Sequence, residues 1–485
     1  MIVKGGVPRL RTGVPNLDLI LGEGLPTGSV SVVAGPPGSG KTILAQQFSF
    51  HNASESSPVL YFSTLTEPAA KTLLYMSQFS YFEPKKMDKT FHMVDLGAIL
   101  RTDGLPAAVK LLMDQVKQVK PGIVVIDSFK TFDDLSKSNT ELRQFAYEVG
   151  VNLMAWEVTG LLLGEWAQPY YETNPLFSIA DGLVTLSHAE VAGEWQRFIQ
   201  VHKMRGISHN RDAHPFAIND NGLEIYTARL TIRRSAEADR MQRDLPRLPT
   251  GVSGLDELLG EGVPHGSCVL VSGVPGSGKT ILLLEFLYRG AQVDQKGVLF
   301  SFEETPDRIQ ATARGLGWDL DREIERGMVE IVFIPQPDIM LEANLLMMHE
   351  RLHASEVKRV AIDSVSVFLH KVQDARAAQE KIFQLATVVQ REGAVGFFAT
   401  DVPFGSGLIS RLGVEETIID GVILLDAAEH GLDRERYLEV YKLRNTAHVT
   451  GRHPMVIGAG GISVFPRRVN DAKPRKRKRH RRRDA

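Results

Sequence analysis

Short, unbroken apolar runs recur along the chain, and several of them end on a carboxylate. In the first half they are Ser29–Ala34, Val59–Ser63, Gly122–Asp127 and Leu161–Glu165; in the second, Cys268–Ser272, Gly297–Phe302, Arg359–Asp363 and Phe397–Asp401. Continuous apolar runs of this length, without polar alternation, are the signature of parallel strands covered on both faces. Between them lie longer helix-like stretches, Ile43–Phe50, Ala107–Val119, Ile281–Tyr288 and Ala377–Val389. Strands alternating with helices predict an α/β fold with two mainly parallel central sheets flanked by helices.

The two halves are copies. Aligning Lys41 with Lys279 sets an offset of 238 residues, and over 12–45 against 250–283, 22 of 34 positions are identical. This is a duplication of a whole domain, far longer than a solenoid period. It predicts a first domain over residues 1–228, a polar connector over 229–249, a second domain over 250–466, and a terminal segment over 467–485.

Each copy contains G-x-x-x-x-G-K-[ST], as Gly35–Thr42 and Gly273–Thr280, placed after a strand-like run and before a helix-like one. That context marks a phosphate-binding P-loop. Gly38, Ser39 and Gly40, with Gly276, Ser277 and Gly278, let the backbone curl so that N–H groups face phosphate oxygens. The helix N-terminus adds unsatisfied donors. Lys41 and Lys279 are placed to neutralise phosphate charge, and Thr42 and Thr280 to hold Mg²⁺. Asp127 and Asp363 close short apolar runs at nearly the same offset, 236. A carboxylate at the C-terminal end of an inner strand faces the ligand side of such a sheet, so both are expected to hold the metal. Glu165 and Asp401 end the next inner strand and are candidate sensors of the γ-phosphate. ATP and Mg²⁺ are the expected cofactors.

Hydrolysis needs a group that orients water and cations that absorb transition-state charge. Glu303 and Glu304, after a strand expected one place from the P-loop, fit the first role. In the first half the pair is missing. Glu67 alone remains, one position late: either a one-residue shift brings it to the water, or that half binds ATP and turns it over slowly. A Lys-x-Arg recurs as Lys203/Arg205 and Lys442/Arg444 at an offset of 239. Strand alternation sends both cations to one face, where they are candidates to act in trans.

Composition adds limits. The 485 residues, 43% hydrophobic and 24% charged, describe an ordinary soluble chain with two to four domains. A single cysteine, Cys268, excludes an internal disulfide and a Cys-rich metal site. No signal-like N-terminal segment and no membrane-length apolar run is present, so a cytoplasmic, non-membrane protein is expected. The net charge of −2 hides nine Lys/Arg against one Asp in residues 473–485. Such a run predicts a disordered end. It suits nucleic acid, an acidic partner or simple solubility, and nothing in its residues selects among these.

Together these motifs resemble the RecA-superfamily ATPases, and within them the double-domain KaiC circadian-clock family. The residues that carry the resemblance are the Thr-Gly-Val…Leu-Asp…Gly-Glu-Gly openings, both P-loops, Phe302-Glu-Glu-Thr-Pro306, both Ile-Asp-Ser ends, and Lys203-Met-Arg205-Gly206 with His209. The resemblance implies a homohexamer with ATP at subunit interfaces, where Lys203, Arg205, Lys442 and Arg444 reach a neighbour's nucleotide. It also implies serine/threonine autokinase activity at an adjacent Ser-Thr pair. Counting back from Asp420, that pair is Glu416-Thr417 here, leaving Thr417 as the one candidate phosphosite. Two other classes stay open. A nucleic-acid motor would use the Gly-rich stretch Phe404–Gly413 and the basic end; a scaffold would bind ATP only to assemble.

Overall fold

The structure is a computed structural model. It describes residues 8–65, 69–167, 170–171, 174–191, 194–227, 246–370, 372, 374–411, 413–430 and 433–467. The chain divides into two compact units, with the break between Leu230 and Thr231. Glu67, most of the expected connector and the basic end lie outside the described residues.

Each unit is built on one nine-stranded sheet. In the first unit the strands are β1 (Val30–Ala34), β2 (Val59–Ser63), β3 (Phe91–Asp95), β4 (Ile123–Asp127), β5 (Thr159–Gly164), β6 (Gly182–Val191), β7 (Glu194–Met204), β8 (His214–Asn219) and β9 (Gly222–Ile225). Their order across the sheet is 9-8-7-6-1-5-4-2-3. Strands 3-2-4-5-1-6 are parallel, and 6-7-8-9 form an antiparallel extension. The second unit repeats the order with β10 (Cys268–Gly273), β11 (Gly297–Ser301), β12 (Val329–Phe333), β13 (Arg359–Asp363), β14 (Val395–Asp401), β15 (Gly421–His430), β16 (Asp433–Leu443), β17 (Arg452–Gly458) and β18 (Gly461–Val464). The α/β fold with two mainly parallel sheets is the one the apolar runs predict.

The reason those runs are unbroken is visible in the first unit. Val32, Leu60, Val124, Ile126 and Leu162 face one layer of helices, while Val33, Tyr61, Val125, Leu161 and Leu163 face the other. With both faces covered, alternation along the strand has no polar side to express. The helices that matter for the site are α1 (Lys41–Asn52), α2 (Pro175–Ile179), α3 (Lys279–Ala291), α4 (Pro306–Gly315) and α5 (Glu415–Ile418). Among the described residues no helix is long and apolar enough to cross a membrane.

One expectation is corrected. The strand that leads to Glu303 and Glu304 is not one place from the P-loop strand: β11 is separated from β10 by β13 and β14. Its sequence neighbour is not its sheet neighbour, because the crossover after α3 carries the chain past two positions that later strands fill. The C-terminal ends of all four strands still face the same edge.

Candidate nucleotide sites

Both P-loops leave the central strand of their sheet and enter a helix directly. Gly40 and Gly278, just before α1 and α3, sit at φ 98° and 105°. A Cβ there would also come within 2.9 and 2.7 Å of Ile218 and Ile457 side chains, so glycine is required twice over. The Lys41 and Lys279 ammonium groups fold back on their own loops. Lys41 donates to the carbonyls of Gly35 (3.0 Å) and Pro36 (2.9 Å), and Lys279 to those of Gly273 (3.0 Å) and Val274 (3.2 Å). Burial lowers the Lys41 pKa against the opposing charges of Glu165 and Asp127. Ser39 and Ser277 each bury a hydroxyl oxygen that has no hydrogen-bond partner. An orphaned hydroxyl and a buried cation inside a curled backbone fit an anionic phosphate chain.

The expected metal-holding pairs are brought together in both units. Thr42 Oγ1 donates to Asp127 Oδ2 at 2.8 Å, and Thr280 Oγ1 to Asp363 Oδ2 at 2.7 Å. An oxygen-only pair beside the P-loop fits Mg²⁺, a hard cation. Burial pushes the Asp363 carboxyl up to about 6, reinforced by Glu303 and Asp401 and opposed by the Thr280 hydrogen bond and Lys279. The surroundings differ. In the first unit Tyr61 donates its hydroxyl to Asp127 Oδ2 at 2.7 Å, and burial followed by the Asp127 charge raises the phenol pKa well above its usual value. In the second, Lys279 pairs with Asp401 at 2.7 Å.

The acids of the second unit sit in the turn between β11 and α4. Glu303 Oε1 accepts a 2.6 Å hydrogen bond from Ser364 Oγ, the residue after Asp363. Glu304 is anchored through its backbone, with its N–H and carbonyl both bonded to the Ser301 hydroxyl at 3.2 and 2.7 Å. In the first unit Leu65 stands at the position of Glu303, 40% exposed. Ser128 there accepts the Lys130 N–H instead, and Thr64 Oγ1 accepts the Ser128 N–H at 2.9 Å.

The Lys-x-Arg pairs do share a direction, and in this chain both point at the end of a short helix. Lys203 donates to the carbonyls of Phe177 and Ala180, and Arg205 to Ser178 and Ile179, at the C-terminal end of α2. Lys442 donates to Glu416 and Ile419, and Arg444 to Thr417 and Ile418, around α5. Cations suit the negative end of a helix. Arg205 and Arg444 remain 55% and 47% exposed. Thr417 is exposed and its hydroxyl donates to the Val414 carbonyl at 2.7 Å. Glu416 shares the buried Ser410 hydroxyl with Glu415.

Two residues that bear on the site are not among those the sequence analysis selected. Tyr61 is hidden inside an apolar strand, where its hydroxyl reads as one more large side chain; its counterpart in the second unit is Leu299. Ser364 stands beside Asp363 in a recurring Ile-Asp-Ser, and that recurrence was the available signal.

A duplicated central strand, P-loop and Thr–Asp pair define a tandem P-loop ATPase of RecA-like fold. The KaiC ATPase family model matches residues 10–229 and again 248–469, so the chain belongs to the KaiC ATPase family. It is 26% identical over 482 residues to circadian clock oscillator protein KaiC 1 of Synechocystis sp., covering 96% of this chain and 90% of that one. Circadian clock oscillator protein KaiC of Picosynechococcus sp. is 26% identical over 478 residues, covering 95% of this chain and 90% of its own length. Circadian clock protein KaiC3 of Synechocystis sp. is 26% identical over 91% of this chain and 89% of its own length.

Proposed function

We propose that this KaiC-family ATPase is a Mg²⁺-dependent signalling protein with two unequal nucleotide sites, in which the second unit carries most of the hydrolysis. The observation that carries the reading is the Glu303 carboxylate held by Ser364 next to Asp363, against Leu65 at the same place in the first unit. Lys279 exchanges its loop carbonyls for phosphate oxygens when ATP binds. Glu303 orients a water and takes its proton as the water oxygen bonds to the γ-phosphorus and the bond to the β-phosphate oxygen breaks. Glu304 adds a second carboxylate to the same turn. Thr280 with Asp363, and Thr42 with Asp127, are the residues that hold Mg²⁺, whose chemistry is to neutralise the β- and γ-phosphate oxygens. In the first unit Glu67 is the remaining acid, and turnover there is slow.

Lys203, Arg205, Lys442 and Arg444 act on the nucleotide of an adjoining copy in a cytoplasmic homohexamer. Their partial exposure and their backbone-carbonyl partners support this, because such bonds are readily exchanged for phosphate. The same two cations of the second unit bracket Thr417, which supports a secondary autokinase reaction with Thr417 Oγ1 in place of water. Incubation with γ-labelled ATP, with released phosphate measured and labelled residues mapped, tests both parts. The reading expects phosphate release that falls with Glu303→Gln, and label at Thr417 that Thr417→Ala removes. Label elsewhere, or none, ends the autokinase part; release unaffected by Glu303→Gln ends the hydrolytic part and leaves an ATP-assembled scaffold.

A nucleic-acid motor is the second reading, favoured by Phe404, 74% exposed in the Gly-rich stretch after β14 with the Arg434 guanidinium 5.9 Å from its ring centre. Aromatic and guanidinium groups together make a stacking surface for single strands. Hydrolysis strongly stimulated by single-stranded DNA in a chain lacking residues 473–485 would move the assignment there.

A further inference from the structure

Beside the first-unit P-loop lies a cavity of about 440 Å³, lined by Pro37 and Gly38 of the loop and by His188, Trp195, Gln196 and Arg197 of the β6–β7 hairpin. Trp195 is 71% exposed, the largest exposure among the described large hydrophobic side chains of this unit. The His188 ring packs against it in a roughly perpendicular contact, at 5.4 Å and 68°. Phe216 pairs with Arg197 across the β7–β8 ladder, so Ile218 and Trp195, two positions further along each strand, share one face of the sheet. Ile218 in turn covers Gly40, where an added Cβ would lie 2.9 Å from its Cδ1. A bare indole and an isoleucine therefore flank the loop that takes the phosphates, on the same side of the sheet.

We infer that Trp195 is the shelf on which the base of a nucleotide bound in the first unit stacks. The inference rests on the reading of Gly35–Thr42 as a nucleotide site. It gives that unit a ligand class of its own: a triphosphate carrying a planar base, held in part through the base, as distinct from a bare polyphosphate. The second unit is built differently at the same place. Ile457 repeats Ile218, lying 2.7 Å from a Cβ on Gly278, but Arg434 takes the position of Trp195, as the pairings Glu190↔Trp195 and Glu429↔Arg434 require. The unit with the weaker hydrolytic set thus has the stronger grip on the base, which suits prolonged occupancy.

The test uses the full chain with Lys279→Ala, which removes phosphate binding in the second unit. Binding of ATP and of inorganic tripolyphosphate is measured with and without Trp195→Ala. Base–aromatic stacking corresponds to a weakening of ATP binding by about 5- to 150-fold, with tripolyphosphate unchanged. Trp195→Phe is expected to restore ATP affinity to within about 3-fold of the parent, since a phenyl ring still stacks. Indole emission is read on the Trp195-containing chain as well: ATP quenches it and tripolyphosphate does not, a result that stands even if Trp195→Ala fails to fold. Equal loss of both ligands in Trp195→Ala, unchanged ATP affinity, or equal quenching by both ligands overturns the inference. Should the Lys279→Ala chain bind neither ligand, the first-unit P-loop is not a nucleotide site, and both the reading and the inference fall.

Discussion

The Ser364 hydroxyl donates a 2.6 Å hydrogen bond to the Glu303 carboxylate, joining the residue after Asp363 on β13 to the turn that follows β11. The first unit keeps the serine, as Ser128, and has Leu65 where the acid stands. In the first unit the same two strand ends are joined without a carboxylate, through Thr64 Oγ1, which accepts the Ser128 N–H at 2.9 Å.

If the Ser364 hydrogen bond orients Glu303, its loss should appear in turnover and not in ATP binding. With Glu303 as the proposed general base, Glu303→Gln is expected to lower phosphate release by about 10²–10⁴-fold. Ser364→Ala should lower it by about 10-fold, the scale of one hydrogen bond to a charged group, with KM for ATP unchanged. Ser364→Thr, which keeps both the hydroxyl and the cap it gives to the Val367 N–H, should restore the rate. Steady-state phosphate release on the double variant completes the check: Ser364→Ala should have no further effect once Glu303 is Gln.

Arg359 opens the strand that ends at Asp363 and is 2% exposed. Its guanidinium donates to the carbonyls of Pro249 (2.8 Å), Thr250 (3.1 Å) and Phe286 (2.7 Å) and to Gln295 Oε1, and lies 4.7 Å from the Phe286 ring centre. Methionine fills similar space but strands those acceptors, at about 1–3 kcal/mol for each buried group left unpaired. Arg359→Met should therefore destabilise the second unit by about 3 kcal/mol or more, read from urea unfolding. The first unit, with Ile123 at that position, should keep its own transition.

Acid should weaken the second unit through His453. Burial holds its pKa below the ordinary value, and Nδ1 accepts the Arg467 N–H at 2.9 Å, so the folded ring is neutral. In the unfolded chain the ring takes up a proton near pH 6.5. As pH falls through about 6.5 toward the folded value, the unfolded state binds more protons and stability drops; above about 6.5 the contribution is complete. Melting temperature measured from about pH 7.5 down to about 5.5 should fall less steeply for His453→Asn, which keeps an acceptor and does not titrate. His349, also held low by burial, adds to the fall, and Asp363, whose raised carboxyl takes up its proton at about 6 in the folded unit, opposes it; both act alike in the two chains, so the difference between their curves reports His453.

The duplication, both P-loops and the Thr–Asp pairs were legible in the sequence because each is a local pattern repeated at a fixed offset. The strand interiors were legible for a related reason: burial on both faces erases polar alternation. Sheet order was not, since β11 reaches its place beside β13 only after a crossover that no local pattern records. Nor were the partners of Tyr61 and Ser364. Their contacts with Asp127 and Glu303 span 66 and 61 residues of chain, and a hydroxyl on an inner strand looks the same in sequence whether it meets a carboxylate or a helix.

The central claim is inequality between two sites in one chain, and phosphate release from two single-site variants tests it most directly. Lys41→Ala leaves only the second unit able to hold triphosphate, and Lys279→Ala leaves only the first. At saturating ATP and Mg²⁺, Lys41→Ala is predicted to retain most of the parent rate while Lys279→Ala loses it. A Lys279→Ala chain that releases phosphate as fast as the parent would contradict the assignment of hydrolysis to the Glu303 side.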